Sequence, residues 1–174
     1  MTQKTTHDSE TPAEGKQVIT ACAFIHQKFD GVEKLFLPKR AATKKFLPNV
    51  YELPGGHIDY GEDIVAGLQR EIHEELGMRV AVGDPFYVHT YINQVKGSHS
   101  IEVIYFAHFL DPIETITINP EDHSTCGWFS REELIGIRDE IVVNTQIEHA
   151  YEEDPEYLAM LRGFELLAGR AVQF

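Results

Sequence analysis

The sequence predicts an α+β protein, a mixed-sheet sandwich, and three observations carry that prediction. Runs of β-branched and aromatic residues come first, one strongly amphipathic stretch with helical spacing interrupts them, and further such runs precede a helical C-terminal third. The chain has 174 residues, a length that suits one domain and buries a core without cross-links. With 43% apolar and 25% charged residues it has the composition of an ordinary globular protein.

Residues 1–15 are polar, hold Pro and Gly and show no periodicity, so a flexible tail is expected there, with a single domain over 16–174. Residues 18–25 (VITACAFI) read as a buried strand. Asp30 and Gly31 supply hairpin chemistry before a second strand at 34–37. Pro38, Pro48 and Pro54 then punctuate a loop-rich passage ending in Gly55 and Gly56.

From 63 to 76 the spacing turns helical, with Ile64, Leu68, Ile72 and Leu76 forming one apolar stripe. Gly61 is expected at the N-cap, Glu62 and Asp63 in the first turn, and Gly77 as a left-handed C-cap. Strands are expected at 86–91, 100–109 and 115–118, with a shorter one at Trp128 and Phe129. Ser130 to Leu134 reads as a capped helix start, and the chain beyond about 138 as mainly helical. Tyr157, Leu161, Phe164 and Ala168 form a late stripe, weakened by Gly163, that packs on its own domain or builds a homodimer.

The net charge of −13 argues against binding a nucleic acid polymer, which calls for clustered Lys and Arg. No apolar run approaches the roughly 20 residues that span a bilayer, and the N-terminus lacks a signal-peptide core, so a cytoplasmic protein without a membrane partner is expected. Cys22 and Cys126 are expected to be reduced thiols, and neither has a partner at zinc-site spacing. If the substrate is anionic, so acidic a chain needs a cation between the two.

The chemistry concentrates at 55–78. Glu71, Glu74 and Glu75 fall within an arc of roughly 100° on the helix. Like charges at these spacings destabilise an isolated helix, and Arg70 alone cannot balance them. Gly67, one turn before Glu71, leaves space on that side. Either the face is simply solvated, the better reading from acid content alone, or it holds a hard divalent cation such as Mg²⁺ or Mn²⁺. Gly55 and Gly56, lacking side chains, can bring backbone close to a metal or phosphate.

The wider pattern decides between these. Gly56, five residues, Glu62, seven residues, then Arg70-Glu71-Ile72, His73, Glu74-Glu75, Leu76 and Gly77-Met78 resembles the Nudix box, with every specified position filled. A chance match has a probability of roughly 10⁻⁷ or less. Leu53-Pro54-Gly55-Gly56 resembles the family's lead-in, and the strands and helices around it fit its α/β/α sandwich, a mixed sheet between helices, over residues 16 to about 136.

The resemblance implies Mg²⁺- or Mn²⁺-dependent hydrolysis of a nucleoside diphosphate linked to another moiety. It also assigns residues. Glu74 and Glu75 are implied as metal ligands, and Glu71 as a ligand or the group that deprotonates water. Glu62 is implied to hold the water network, Arg70 to fix the glutamates, and Gly55 or Gly56 to lend a backbone oxygen to the metal. His57 and His73 fill unspecified positions, where surface or supporting roles are expected.

A further acid or histidine often follows the box in this family, and Glu121, Asp122 and His123 stand in a suitable stretch, unless that is a solvated loop. Glu102 is a second candidate, unless as a mid-strand residue it faces water. Lys39 and Arg40 are candidates for a substrate phosphate, and Tyr51, Phe86, Tyr91 or Trp128 for stacking on a base. The proline that marks ADP-ribose-type relatives is replaced by Gln94 and its neighbours, and no tyrosine stands where the diadenosine-polyphosphate type carries one. Arg40-Ala41 and Lys45 partly resemble a coenzyme A subtype. A nucleoside triphosphate is the plainest substrate, with coenzyme A or nucleotide-sugar diphosphates as alternatives. The rival from another class, a non-catalytic nucleotide-sensing or protein-binding module of the same fold, would not need the full set of glutamates that this chain keeps.

Overall fold

In β1 (Gln17–Phe29) residues 20–25 are buried without a break, because its two faces go to different layers. The turn after it takes Asp30 and Gly31 to φ of 48° and 82°, the backbone a two-residue hairpin requires. The chain returns as β2 (Val32–Arg40) and reaches the short β3 (Gly55–His57) and the helix α1 (Ile64–Leu76). Then follow β4 (Val80–Asn93), β5 (Ser98–Phe109), β6 (His123–Phe129), α2 (Arg131–Gly136), β7 (Ile147–Glu148) and α3 (Pro155–Leu167). This computed structural model describes residues 11–142 and 146–169.

The strands form one seven-stranded sheet in the order β6-β2-β1-β5-β4-β7, with β3 added on β1. One edge of β1 is divided. Residues 26–29 pair with β2 and residues 20–22 with β3, both antiparallel. Along its other edge β1 runs parallel to β5, so the sheet is mixed, as expected.

On one face Ala21, Ala23, Ile25 and Phe36 pack against Leu68, Ile72 and Leu76 of α1. On the other, Cys22, Phe24 and Ile104 pack against Tyr157, Met160 and Phe164 of α3. The layers are therefore helix, sheet, helix. The late stripe packs on its own domain through Tyr157 and Phe164, with Leu161 half-buried and Ala168 exposed. Cys22 and Cys126 are free thiols.

Three expectations need correction. The N-cap of α1 is Asp63, not Gly61: its carboxylate accepts from Val65 N and Ala66 N, each at 3.0 Å. Gly61 instead occupies a turn, at φ 83°. Residues 115–118 form no strand. Ile113–Thr115 is a 3₁₀ turn, after which Thr117 N and Asn119 N donate to Leu76 O and Glu75 O. The segment thus satisfies the carbonyls that the end of α1 leaves open, and has no free edge to offer the sheet. Beyond 138 the helical expectation holds only in part, through α3. Among the described residues only a 3₁₀ turn, Arg138–Glu140, precedes β7, and α3 begins at the Asp154 cap with Pro155 in its first turn.

Other terminal features hold. Gly77 ends α1 at φ 65°, and Ser130 and Glu133 form the reciprocal cap of α2. The tail expected over 1–15 falls mostly outside the described residues, but Ala13 N and Gly15 N donate to Lys96 O and Gly97 O. No helix among the described residues is long and apolar enough to cross a membrane.

Gly163 has a reason that helical patterning hides. A Cβ there would run into the Phe24 ring, which is fixed by edge-on contacts to Phe86, Phe106 and Phe164 at 5.4–5.8 Å. Gly163→Ala gains up to about 1 kcal/mol of helix propensity but overpacks a full core at a cost of about 1–3 kcal/mol. Urea denaturation should show a net loss of stability; a more stable variant would mean that the Phe24 ring moves aside.

Candidate active site

The site begins where β3 meets the carboxylate face of α1. Gly55 takes φ 144°, and a Cβ on it would collide with the Ala21 carbonyl, so only glycine passes here against β1. A Cβ on Gly56 would stand 2.7 Å from Glu71 Oε2. The two glycines therefore make the seat for that carboxylate. The space beside Gly67 is filled rather than open: a Cβ there would be 2.7 Å from Glu62 Oε2.

Arg70 joins the acids together. Its Nε donates to Glu62 Oε1 at 2.9 Å and its Nη2 to Glu62 Oε2 and His57 O, each at 3.0 Å. Its Nη1 reaches Glu71 Oε1 at 2.8 Å and, more loosely, Glu74 Oε2 at 3.4 Å. Arg70 is held above its usual pKa, first by the Glu62 hydrogen bonds and then by Glu71. Glu62 is correspondingly held below the usual carboxylate range by Arg70 and by the Asp59 N–H.

Glu71 and Glu75 behave oppositely. Burial pushes Glu71 up to about 7; Arg70 opposes this, while Glu74 and Asp122 add to it. Burial, then Glu52, Glu71 and Asp122, drive Glu75 well above the usual range, and the Gly55 N–H at 3.3 Å only partly relieves it. All three glutamates line one cavity of about 550 Å³ together with Gly55 and Gly56. Among the described residues, however, no three His, Cys, Asp or Glu side chains already converge as an ion cage. Arg70 holds Glu71 and Glu74, and the Gly55 N–H holds Glu75, where a cation would compete for them. The donors suit such a cation by type: hard carboxylate groups, two of them half-buried with too little positive charge, beside a backbone without side chains.

The loops opposite α1 add a second charged group. Arg40 donates from Nη1 to both Glu52 oxygens at 3.1 Å and from Nε to Phe46 O at 2.9 Å. The His123 Nε2 lies 2.9 Å from Glu52 Oε1. Burial would raise Glu52, but Arg40 and His123 outweigh it and hold the carboxyl below its ordinary value. Lys44 Nζ pairs with Asp122 Oδ1 at 2.6 Å. Arg40, Lys44, Glu52 and Asp122 all line the cavity.

The sequence-predicted residues thus divide. Glu71, Glu74, Glu75, Arg70, Gly55, Gly56 and Arg40 line the cavity, and Glu62 reaches it through Arg70. His123 is buried and acts on it only through Glu52. Lys39 and Glu121 do not line it: Lys39 pairs with Glu140 at 2.6 Å over the Tyr51 ring, and Glu121 is exposed. Of the four aromatic candidates only Tyr91 lines the cavity, while Phe86, Trp128 and Tyr51 pack against other rings. Glu102 does not face water but is 5% exposed in the cavity wall. Sequence reasoning missed Glu52, His89 and Glu156. For Glu52 and Glu156 no local pattern marks them, because their partners lie in distant loops and strands.

Comparison with known proteins follows the same lines. A family model described as the NUDIX domain matches residues 16–150. The chain is 34% identical over 74 residues to a Bos taurus protein named m7GpppN-mRNA hydrolase NUDT17, 42% of this chain but 24% of that one. It therefore spans about a quarter of that relative's length. The solution structure of the E. coli ORF135 protein superposes with a TM-score of 0.59 at 25% identity, covering 91% of this chain and 96% of that one. A MutT NUDIX hydrolase from Burkholderia pseudomallei gives 0.54 at 28% identity, covering 68% and 86%.

The Glu52 group makes stability depend on pH with a definite sign. Its folded pKa is below the ordinary 4.5, so its contribution is present above that value and lost as pH falls through the lower, folded one. Glu52→Gln, leaving Arg40 buried without its counter-charge, should lose about 1–3 kcal/mol at neutral pH. In denaturation titrations the gap to wild type should narrow at acid pH; a gap independent of pH would refute the assignment.

Proposed function

The chain belongs to the Nudix hydrolase family, and from that premise we propose that it hydrolyses a nucleoside diphosphate linked to a further moiety, using Mg²⁺ or Mn²⁺. A nucleoside triphosphate is the first substrate to consider. The observation that carries the reading is the pair of carboxylates, Glu71 and Glu75, half-buried in one cavity wall with more negative charge than Arg70 can neutralise. Relatives and fold neighbours named for nucleotide substrates, an m7GpppN-mRNA hydrolase and a C. elegans Ap4A hydrolase, support a nucleotide-derived ligand.

In this reading Glu74 and Glu75, with a backbone oxygen of Gly55 or Gly56, would hold the cation, and Glu71 would be either a further ligand or the group that deprotonates water. Such an ion supplies neutralisation of phosphate oxygens and a lower pKa for the attacking water. Glu71, held at about 7, is suited to accept a proton near neutral pH. Arg70 and Glu62 fix its position, and the Gly56 seat keeps its Oε2 turned to the glycine backbone. Arg40 and Lys44, on the opposite wall, bring positive charge to the phosphates. A single domain over 16–174 would suffice for all of this.

A panel of nucleoside triphosphates, dinucleoside polyphosphates, nucleotide sugars and coenzyme A, each with and without Mg²⁺ or Mn²⁺, tests the proposal. Metal-dependent turnover of at least one member is expected, and none from folded protein would overturn it. Glu75→Gln should cut turnover by about 10²-fold or more. Because the folded pKa of Glu75 is raised, its stabilising contribution exists at low pH and is lost as pH rises. Metal-free Glu75→Gln should therefore melt no lower than wild type at neutral pH. Mg²⁺ should raise the melting temperature of wild type but hardly that of Glu74→Gln; equal shifts in both would remove Glu74 from the metal site.

A further inference from the structure

Beyond the acidic helix, the cavity ends on a part of the sheet where buried polar groups replace apolar ones. Strand register puts Thr20 of β1, Glu102 of β5 and His89 of β4 side by side. The same face of β5 continues to Ile104, which α3 covers, so the row at Glu102 marks where the apolar floor gives way. All three residues are buried, and all three line the cavity.

This row is not satisfied internally. Thr20 Oγ1 donates to Glu102 Oε2 at 3.2 Å, but Glu102 Oε1 has no hydrogen-bond partner. The facing His89 Nε2 is 3.6 Å away, beyond hydrogen-bond reach, and His89 Nδ1 is unpartnered as well. Burial draws His89 down to about 4, so it brings no charge at neutral pH. Among the described residues no Lys or Arg pairs with Glu102; burial, opposed by the Thr20 hydrogen bond and helped by the charge of Glu52, pushes it up to about 7. Buried polar atoms are nearly always paired, and two such orphans lining one cavity point to a ligand.

The walls specify its chemistry. Glu102 offers an acceptor, and Glu52 and Glu156 lie on the same cavity, so a phosphate would be repelled from this end and a donor-bearing group drawn to it. Glu156 already accepts from Leu53 N, and Glu52 is taken by Arg40 and His123, leaving Glu102 as the available acceptor. Phe46 and Leu53 add apolar wall, and the rings of His89 and Tyr91 stack at 28°, which suits a flat group better than an ammonium.

We propose that this end of the cavity is the recognition pocket for a nucleobase edge with two adjacent N–H donors, the edge that guanine presents, and that Glu102 selects it. The proposal rests on the reading that the substrate contains a nucleoside. Adenine and cytosine place a ring acceptor beside their amino group, and uracil flanks its one N–H with carbonyls, so each turns a repulsive atom toward the carboxylate.

Binding of free nucleosides to the full chain, without metal and without turnover, tests this apart from catalysis. In calorimetric titrations at alkaline pH, where Glu102 is ionised, guanosine should bind at least about 10-fold more tightly than inosine, which lacks the amino group, or uridine. Glu102→Gln should bring the ratio near one, and Glu102→Asp, which withdraws the carboxylate by one methylene, should also reduce it. Glu132→Gln, exposed on α2 and outside the cavity, should leave it unchanged. Melting curves identify any variant that fails to fold, and the second Glu102 variant then decides. Equal affinities in wild type, no binding of any nucleoside, or a guanosine preference that survives both Glu102 variants overturns the proposal. A chain that keeps the preference yet hydrolyses nothing upholds it and removes only the catalytic reading; turnover without the preference does the reverse.

Discussion

Among the described residues Arg70 is the cation that touches the carboxylate face of α1, and the site takes its form from that contact. Its guanidinium joins Glu62, Glu71, Glu74 and the His57 carbonyl, so one side chain links the helix, the turn before it and the end of β3. Yet one positive charge cannot settle so many negative ones. Glu62, which Arg70 grips with two donors, stays easily ionised, while Glu71 and Glu75, dominated by burial and neighbouring carboxylates, are driven upward. That gradient separates groups that hold the site in shape from groups with spare affinity for a cation or a proton.

The scaffold makes this arrangement possible by dividing one edge of β1. Because β2 takes only residues 26–29, residues 20–22 remain for β3, and β3 brings Gly55 and Gly56 against the carboxylates. Side chains would not fit at either glycine. The end of α1 is closed by the 117–119 segment, whose N–H groups take up the last helical carbonyls and lead the chain to Asp122 and His123 on the far side of the cavity. Site and fold are therefore fastened by the same backbone hydrogen bonds.

A second consequence concerns polarity along the cavity. The face of the sheet beneath α3 is apolar at Cys22, Phe24 and Ile104 and becomes acidic at Glu102, within one strand. Negative charge thus surrounds both ends, but for different uses. At α1 it is exposed enough to meet a cation, whereas at Glu102 it lies deep in the cavity wall, with one oxygen taken by Thr20 and the other unpartnered.

Much was legible in the sequence because it depended on short spacing. The hairpin at Asp30 and Gly31, the stripe of α1, its glycine stop, the cap at Ser130 and the complete acidic motif all lie within a few turns of chain. The Glu102 placement was half legible: alternation along β5 puts it on the face of Ile104, although a charged residue in mid-strand reads more naturally as solvated. What the sequence could not decide were matches between distant segments. The 115–118 run has strand composition but is used to close a helix end, and Gly163 looks like a weakness until Phe24 is set against it. Lys39 and Arg40 are adjacent and chemically alike, yet opposite directions along β2 send one to Glu140 and the other into the cavity. The sequence by itself determined the family, the layers and the acidic helix, since local periodicity and spacing encode them. Only the tertiary structure decided which charges are compensated, because burial and pairing depend on groups that the chain brings together from far apart.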